Sequence, residues 1–435
     1  MTLSQTPAYN LKAVIKETGI KADVLRAWER RYGLPLPQRS PGGHRLYSQR
    51  DVETIRWLMA RQAEGLSISR AVDAWLEAER EGRDPLAESR QIAGLAPAAT
   101  SLHTSRADWI AACLSFNESQ AEQALNQAFA LYPVETVCVD LLQKALVEIG
   151  SLWYQNRASV QQEHFASALA MRRLDALLAA APPPTRTQTV LVGCPMGEWH
   201  SFTTLSLTLF LRRRGLNVIY LGANVPDQRF EETIQMVHAD LVVLAAQQLV
   251  TAASLQHTAA SLAAHGRSVA YDGRIFMLQP SLQQRIPAYF LGGQMVGAAD
   301  QVLALLAQPL LDIQALSPAP QYTDTLLAFI ANRTAIEASI QARASSSNIP
   351  LEHTIIANHF MGDSLAAVLQ LGEMSYLDSE IDWLIHLLNT QNIPLQFLRN
   401  YFNLYLDVLQ HQLDRRSDLI TGWFEHQLLV IDERL

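Results

Sequence analysis

Two acid–imidazole pairs set the chemical question. Glu198 and His200 stand two residues apart in GCPMGEWHSF (193–202), and Glu163 and His164 stand side by side in SLWYQNRASVQQEH (151–164), ten positions after Trp153. An imidazole that gives one ring N–H to a carboxylate keeps the lone pair of its other nitrogen for a metal, and the acid fixes its tautomer and direction. His200 is therefore a candidate metal ligand with Glu198 behind it, against the plainer reading of a surface histidine in a loop. An indole is a broad apolar cover, and an adjacent acid and imidazole satisfy polar atoms that burial strips of water. Trp153, Glu163 and His164 combine these properties, against the plainer reading of a core tryptophan beside an unrelated surface pair.

The elements that must position these residues follow from hydrophobic period. Residues 105 to 181 read as helical, Ala- and Leu-rich, and stop at Pro182-Pro183-Pro184, which cannot continue a helix. Five short apolar runs follow, TVLVGC (189–194), NVIYLG (217–222), DLVVLAA (240–246), SVAYDG (268–273) and AYFLGG (288–293), separated by helical segments. They describe an open parallel α/β sheet, a flavodoxin-like Rossmann variant. Glu198 and His200 then lie just past the carboxyl end of its first strand, where such sheets bind ligands.

Beyond a proline-containing joint near LSPAPQY (316–322), residues 323–435 return to a long helical pattern. They carry His353, His359, His386, His411 and His426, with Trp383, Phe397, Tyr401, Phe402, Tyr405, Trp423 and Phe424 at helical spacings. One reading is a helical oligomerisation domain whose aromatic stripe is core. The other is a pocket for a second flat chromophore such as a bilin or haem, held noncovalently because the segment has no cysteine.

The chain has 435 residues, 49% hydrophobic, and a formal net charge of −8, which fits a multidomain globular protein and argues against nucleic-acid binding only if the charge is spread evenly. It is not: Tyr9 to Arg56 holds ten Lys or Arg against five Asp or Glu, the footprint of a phosphate-contacting surface. Within it, LKAVIKETGIKADVLRAWERRYGL gives two helices with Gly19 at the turn, a helix-turn-helix pattern. PLPQRSPGGHRLYSQRDV then gives a β-wing with its turn at Pro41-Gly42-Gly43, and Ser48 with Asp51 opens the next helix as a capping box. The alternative is a solvated basic face on a small helical domain.

Cys113, Cys138 and Cys194 are too scattered for a zinc site or a disulfide framework, the N-terminus lacks a signal-peptide pattern, and the most apolar window is too short to span a bilayer. A soluble, cytoplasmic protein without a membrane partner is expected. The expected domains are 1–78, a polar linker at 79–104, a helical block at 105–183, the sheet domain at 184–316 and a helical domain at 323–435.

The basic block resembles the DNA-binding domain of MerR-type regulators, whose signature is matched at Arg26, Trp28 to Leu34, Pro37, Arg39, Gly43, Arg45 and Tyr47. That resemblance implies binding of a double-stranded operator by paired chains, with Arg26, Arg30, Arg31, Arg39, His44, Arg45 and Tyr47 at the DNA and Trp28 in the core. A helical block followed by such a sheet, with Glu-x-His after the first strand, is similar to the cobalamin-binding unit of corrinoid enzymes and sensors. It implies His200 as the lower ligand of cobalt, supported by the turns at Gln247 to Leu249 and at Asp272-Gly273. The usual glycine three residues past the histidine is Thr203 here. A tryptophan, nine residues and then Glu-His resembles the cap of light-sensing cobalamin regulators of the CarH and LitR type. This implies that Trp153 packs on the adenosyl group of adenosylcobalamin, with Glu163 and His164 beside it. Where the best-known light sensors of that family have a histidine directly after the tryptophan, this chain has Tyr154. The resemblance implies a non-enzymatic regulator, a repressor assembling as a homo-dimer or tetramer whose assembly changes on photolysis. A light-independent cobalamin or redox sensor is the alternative. A corrinoid methyltransferase or mutase subunit is more remote, since a DNA-binding block has no place in one.

Overall fold

A computed structural model describes residues 6–39, 43, 45–63, 68–80, 84–86, 101–308, 313–347, 349, 351–413 and 415–435. The chain divides into two compact units, Met1–Ser101 and Leu102–Leu435.

In the first unit, helices α1 (Leu11–Thr18) and α2 (Ala22–Tyr32) flank a turn at Gly19, whose φ of 74° suits a residue without Cβ. Asn10 caps α1 by accepting from the Ala13 N–H. Strands β1 (Pro7–Asn10), β2 (Gln38–Arg39) and β3 (Arg45–Ser48) form a small sheet in the order β1-β3-β2. The wing therefore gains a third strand from the N-terminal side, one too short and too polar to stand out in the sequence. Ser48 and Asp51 exchange hydrogen bonds and open α3 (Gln49–Ala63), with α4 (Ile68–Arg80) following. Val14, Leu25, Trp28, Tyr47, Val52, Ile55 and Leu58 form the core.

The second unit begins with four cap helices: α5 (Leu102–Leu114), α6 (Glu118–Leu131), α7 (134–154, π-helical over Val137–Gln143) and α8 (Val160–Ala179). Ser159 and Gln162 make a capping box at the start of α8. Trp109, Leu125, Leu141, Ile149 and Leu169 pack between the four helices.

The five apolar runs become parallel strands β4 (Thr189–Pro195), β5 (Asn217–Val225), β6 (Leu241–Ala245), β7 (Val269–Asp272) and β8 (Tyr289–Phe290), in the order β5-β4-β6-β7-β8. This is the flavodoxin-like order, with its switch point beside β4. Side chains alternate across the sheet. Val190, Val192 and Val243 pack with α9 (Phe202–Arg213), α13 (Met295–Leu306) and the cap residues Cys138 and Leu174. Leu191, Val242 and Leu244 face the other way, toward α10 (Phe230–Val237) and α11 (Leu249–Ala264). The short α12 (Arg274–Leu278) follows β7.

That second core continues without a break into the C-terminal helices α14 (Pro320–Ala344), α15 (Leu351–Leu371), α16 (Asp378–Thr390), α17 (Leu395–Gln412) and α18 (Asp418–Asp432). The Gln370 side-chain amide donates to Ala253 O at 2.7 Å on α11, and that of Gln279 donates to Tyr376 O at 2.7 Å. Cap and C-terminal bundle thus lie against opposite faces of one sheet.

Tyr401, Phe402, Tyr405, Trp423 and Phe424 are buried and pack ring against ring inside the bundle. His353, His359, His386, His411 and His426 are all exposed. The aromatic side chains and histidines that could have lined one pocket for a second tetrapyrrole therefore point in opposite directions. Trp383 leaves the aromatic stripe as well and is 44% exposed.

The three cysteines are free and buried, which raises each thiol to between about 11 and about 12. Among the described residues no helix is long and apolar enough to cross a membrane.

Candidate functional site

At the carboxyl end of β4 the chain turns through Gly197 (φ 85°) and presents Glu198, Trp199 and His200 before α9. The turn is pinned from β5: Asn224 accepts from the Gly197 N–H at 2.8 Å and its own N–H donates to Glu198 O at 2.9 Å. Glu198 is wholly buried and its carboxylate accepts four hydrogen bonds, from His200 Nδ1 (2.7 Å), the His200 N–H (2.9 Å), the Gln247 N–H (2.7 Å) and the Thr251 hydroxyl (2.7 Å). Burial alone would raise this carboxyl, but its four donors outweigh burial and hold it below the usual range. The carboxylate in turn holds His200 Nδ1 as the donor and raises the imidazole above its ordinary value, chiefly through that hydrogen bond, with Glu163 adding attraction. The side chain is 62% exposed, and with Nδ1 engaged by Glu198 its other ring nitrogen, Nε2, is the one left to bind a metal. This is the arrangement of an oriented metal ligand.

The neighbouring turns complete one rim. Gln247 gives its N–H to Glu198, accepts the Arg274 N–H on its side-chain oxygen at 3.1 Å, and keeps its side-chain nitrogen buried without a partner. Asp272, buried, accepts from the Gly273 N–H at 2.7 Å. A Cβ on Gly273 would stand 1.8 Å from Ala246 O, so only glycine lets β7 pass that close to the end of β6. Leu249 departs from the expectation that it touches the ligand: its side chain is fully buried in the core, and only its backbone N–H faces a polar partner, the Glu380 carboxyl. It opens α11, and a helix that packs on a sheet buries an apolar residue in its first turn.

The cap supplies the facing surface. His164 Nδ1 lies 2.7 Å from Glu163 Oε2, and the Ser167 hydroxyl donates to Glu163 Oε1 at 2.7 Å. Glu163 is close enough to attract the His200 imidazole; the His200 turn is termed the floor and this surface of the cap the roof. Trp153 sits on the last turn of α7, 38% exposed. Tyr154 points elsewhere: its hydroxyl donates to Trp383 O at 3.0 Å and its ring stacks on Trp383 and His386, at centroid separations of 5.6 and 5.1 Å. Thr203, in the first turn of α9, is partly exposed.

Sequence reasoning missed Thr251, Asn224, Ser167 and the C-terminal contacts. Thr251 carried the one available signal, a hydroxyl in the first turn of a helix that starts beside the site. The others depend on long-range packing.

In the first unit Arg26, Arg30, Arg31 and Arg39 are exposed, on α2 and the wing. Glu29 accepts from Arg45 Nε at 2.7 Å and from the Tyr47 hydroxyl at 2.5 Å, tying β3 to α2. Tyr47 has no exposed surface, which corrects its assignment as a DNA contact: an aromatic ring on the inner face of a two-sided wing fills the core, and its hydroxyl orients the acid that holds Arg45. Trp28 is buried, as expected. His44 lies outside the described residues.

Residues 9–75 match the MerR HTH family regulatory protein family, and residues 106–178 match the B12 binding domain. The HTH-type transcriptional repressor CarH of Myxococcus xanthus is 30% identical over 243 residues, spanning 54% of this chain and 78% of its own length. CarA of the same organism, also an HTH-type transcriptional repressor, is 33% identical over 238 residues, 54% of this chain and 75% of its own. Among solved structures, the monomethylamine corrinoid protein of Methanosarcina barkeri is similar at 14% identity and a TM-score of 0.41, over 45% of this chain and 96% of that one. A basic helix-turn-helix unit and a capped, Rossmann-like sheet with an oriented histidine on its rim thus occur together in one chain, which belongs to the family of B12-binding, MerR-type transcription regulators that includes CarH and CarA.

Proposed function

We propose that the chain is an adenosylcobalamin-dependent, light-responsive repressor, whose grip on operator DNA follows a change of assembly. The observation that carries this is the Glu198–His200 pair, an exposed imidazole oriented by a buried carboxylate, with Glu163 of the cap near enough to attract it. Three features fit a corrinoid there. The donor chemistry fits, since His200, with Nδ1 held by Glu198, would offer Nε2 to cobalt. The unpartnered side-chain nitrogen of Gln247 is a donor without an acceptor in a buried position, where an unmade hydrogen bond costs about 1–3 kcal/mol. Gly273 leaves backbone, not side chain, along the rim.

Adenosylcobalamin, when bound, supplies a carbon–cobalt bond that light breaks. The chain's residues then divide the work. His200 and Glu198 hold the lower side, while Gln247 and Gly273 line the rim. Trp153 would cover the adenosyl group, with Glu163 and His164 placed to satisfy its polar atoms. Trp153 would lose its apolar partner if that group left, and the cap would then be free to shift and let surfaces joining protomers separate. Joined protomers present several DNA-binding units at once, and tethering raises avidity on the order of a hundredfold or more. Arg26, Arg30, Arg31, Arg39 and Arg45 contact the operator, with α2 in the major groove.

The test is a size measurement of the adenosylcobalamin-loaded chain in the dark and after green light, with DNA retention followed in parallel. A larger species that holds DNA in the dark and dissociates on illumination is expected. Bleaching of the cofactor without change in mass or DNA retention would leave a light-independent cobalamin sensor. One observation favours keeping that second reading in view: Tyr154 is engaged by Trp383 and His386, and a phenol there offers cobalt no imidazole after illumination.

A further inference from the structure

The C-terminal bundle reaches both sides of the cleft through a single helix, α16. Near its start, the Glu380 carboxyl accepts the Leu249 N–H and the Ser364 hydroxyl, the latter at 3.2 Å. Leu249 follows the turn whose Gln247 N–H fixes Glu198 and hence His200, and Thr251 on the same first turn of α11 donates to Glu198 as well. Ser379, one residue earlier on α16, accepts from the Gln279 side chain, which also donates to Tyr376 O. This end of α16 is fastened to the floor.

One and two turns on, the same helix holds the roof. Trp383 offers its carbonyl to the Tyr154 hydroxyl and its ring to the Tyr154 ring, at an interplanar angle of 21°, and His386 stacks on the same ring at 22°. Glu380, Trp383 and His386 recur every three residues, so they follow one stripe of α16 and span about 9 Å along its axis. Tyr154 is the last residue of α7 and Trp153 precedes it. Successive residues on a helix point about 100° apart. A clasp on Tyr154 therefore fixes the rotation of the helix end and, with it, the direction of the neighbouring indole. Nothing in the hydrophobic pattern of the cap requires an outside partner at this point; the clasp is added by the bundle.

The geometry points to Trp383 and His386 as positioning residues for the roof of the cobalamin cleft: held on Tyr154, they orient Trp153, and α16 links that roof to the His200 floor. This rests on the cofactor reading above. The C-terminal segment is then part of the sensor, and the distance between roof and floor is set by a helix of neither.

Two measurements on the full chain test this. Hydrogen exchange of residues 150–157 without cofactor reads the clasp directly, and the release of adenosylcobalamin in the dark, together with the circular dichroism of its corrin bands, reads the consequence. In Trp383→Ala/His386→Ala, exchange at the end of α7 is expected to rise about tenfold, release to quicken by a similar factor and the corrin dichroism to change. Trp383→Phe/His386→Phe, which keeps flat rings on Tyr154, restores all three. Unchanged exchange, or faster exchange with cofactor release and dichroism left as in the wild type, overturns the positioning role. A wild-type chain that takes up no adenosylcobalamin overturns the cofactor reading, and this assignment with it, whatever the exchange data show.

Discussion

The two acid–imidazole pairs share one local geometry and differ in everything around it. In both, a histidine Nδ1 lies 2.7 Å from a glutamate oxygen. The floor carboxylate of Glu198 is 0% exposed and takes four donors from two distant segments of chain, whereas the roof carboxylate of Glu163 is 33% exposed and takes His164 and Ser167 from its own helix. The floor histidine is held from beneath and titrates above its ordinary value. The roof histidine, 75% exposed, hangs from a partner that water also reaches. An interaction that water competes for is worth little, and one sealed in a fully satisfied network is worth much more and keeps its direction. On the proposed function, the floor would hold the cofactor and the roof would let go.

The hardest way to break this comparison is at the floor itself. His200→Ala removes the imidazole proposed as the axial donor, and adenosylcobalamin affinity is expected to fall at least about a hundredfold, with an altered corrin spectrum for whatever binds, measured by equilibrium dialysis and absorbance. If the mutant binds as the wild type does, His200 is a surface histidine after all. Glu198→Gln keeps the shape and removes the charge. Its loss frees the tautomer of His200, and affinity should drop about 10–100-fold while the fold is retained.

Much of the floor was visible in sequence because its determinants are local. The β4 run, the glycine turn and the Glu-x-His spacing fall within some dozen residues, and strand period places them at the carboxyl end of the sheet. The basic helix-turn-helix block was legible for the same reason. What stayed hidden needed distant chain: the third strand of the wing, the burial of Tyr47 by Glu29 and its core neighbours, the continuity of the C-terminal bundle with the sheet core, and the clasp on Tyr154. Trp383 in particular reads as one more aromatic in a helical stripe. Only folding shows that it meets Tyr154, a residue 229 positions earlier. Leu249 shows the converse error, since matching a motif position does not tell whether a side chain faces ligand or core.

A second acid, half-buried, sharpens the contrast. Glu380 sits against the same floor but accepts only the Ser364 hydroxyl and the Leu249 N–H, so burial prevails and pushes its carboxyl up to about 7. The folded state then binds a proton more tightly than the unfolded chain. Its contribution is full below the usual carboxylate range, declines as pH rises through about 7, and is flat above that. The decline is expected to reach roughly 1–3 kcal/mol. Thermal unfolding of the C-terminal helices at pH 5.5 and 8 should show it, and Glu380→Gln, which cannot ionise, should abolish the difference and melt higher than the wild type at pH 8. An unchanged pH slope in the mutant would assign the effect to another group. Glu198, held low by its donors, would contribute the opposite slope at acid pH.

The smallest effect belongs to the roof. Glu163→Gln removes the charge that His164 and Ser167 share, yet solvent already screens that cluster, so the dark affinity for adenosylcobalamin should change no more than about threefold. Its consequence should appear in the response instead. Glu163 also attracts the His200 imidazole when that ring is not bound to a metal, so in the cofactor-free chain its charge favours the closed arrangement. Without that charge the cap opens more readily, and the illuminated protein should release DNA at least as fast as the wild type while the dark complex persists. Gel retention in the dark and under green light, beside the dialysis constant, separates the two quantities. A loss of dark affinity as large as that of Glu198→Gln would mean that roof and floor hold the cofactor alike, and the division between them would have to be abandoned.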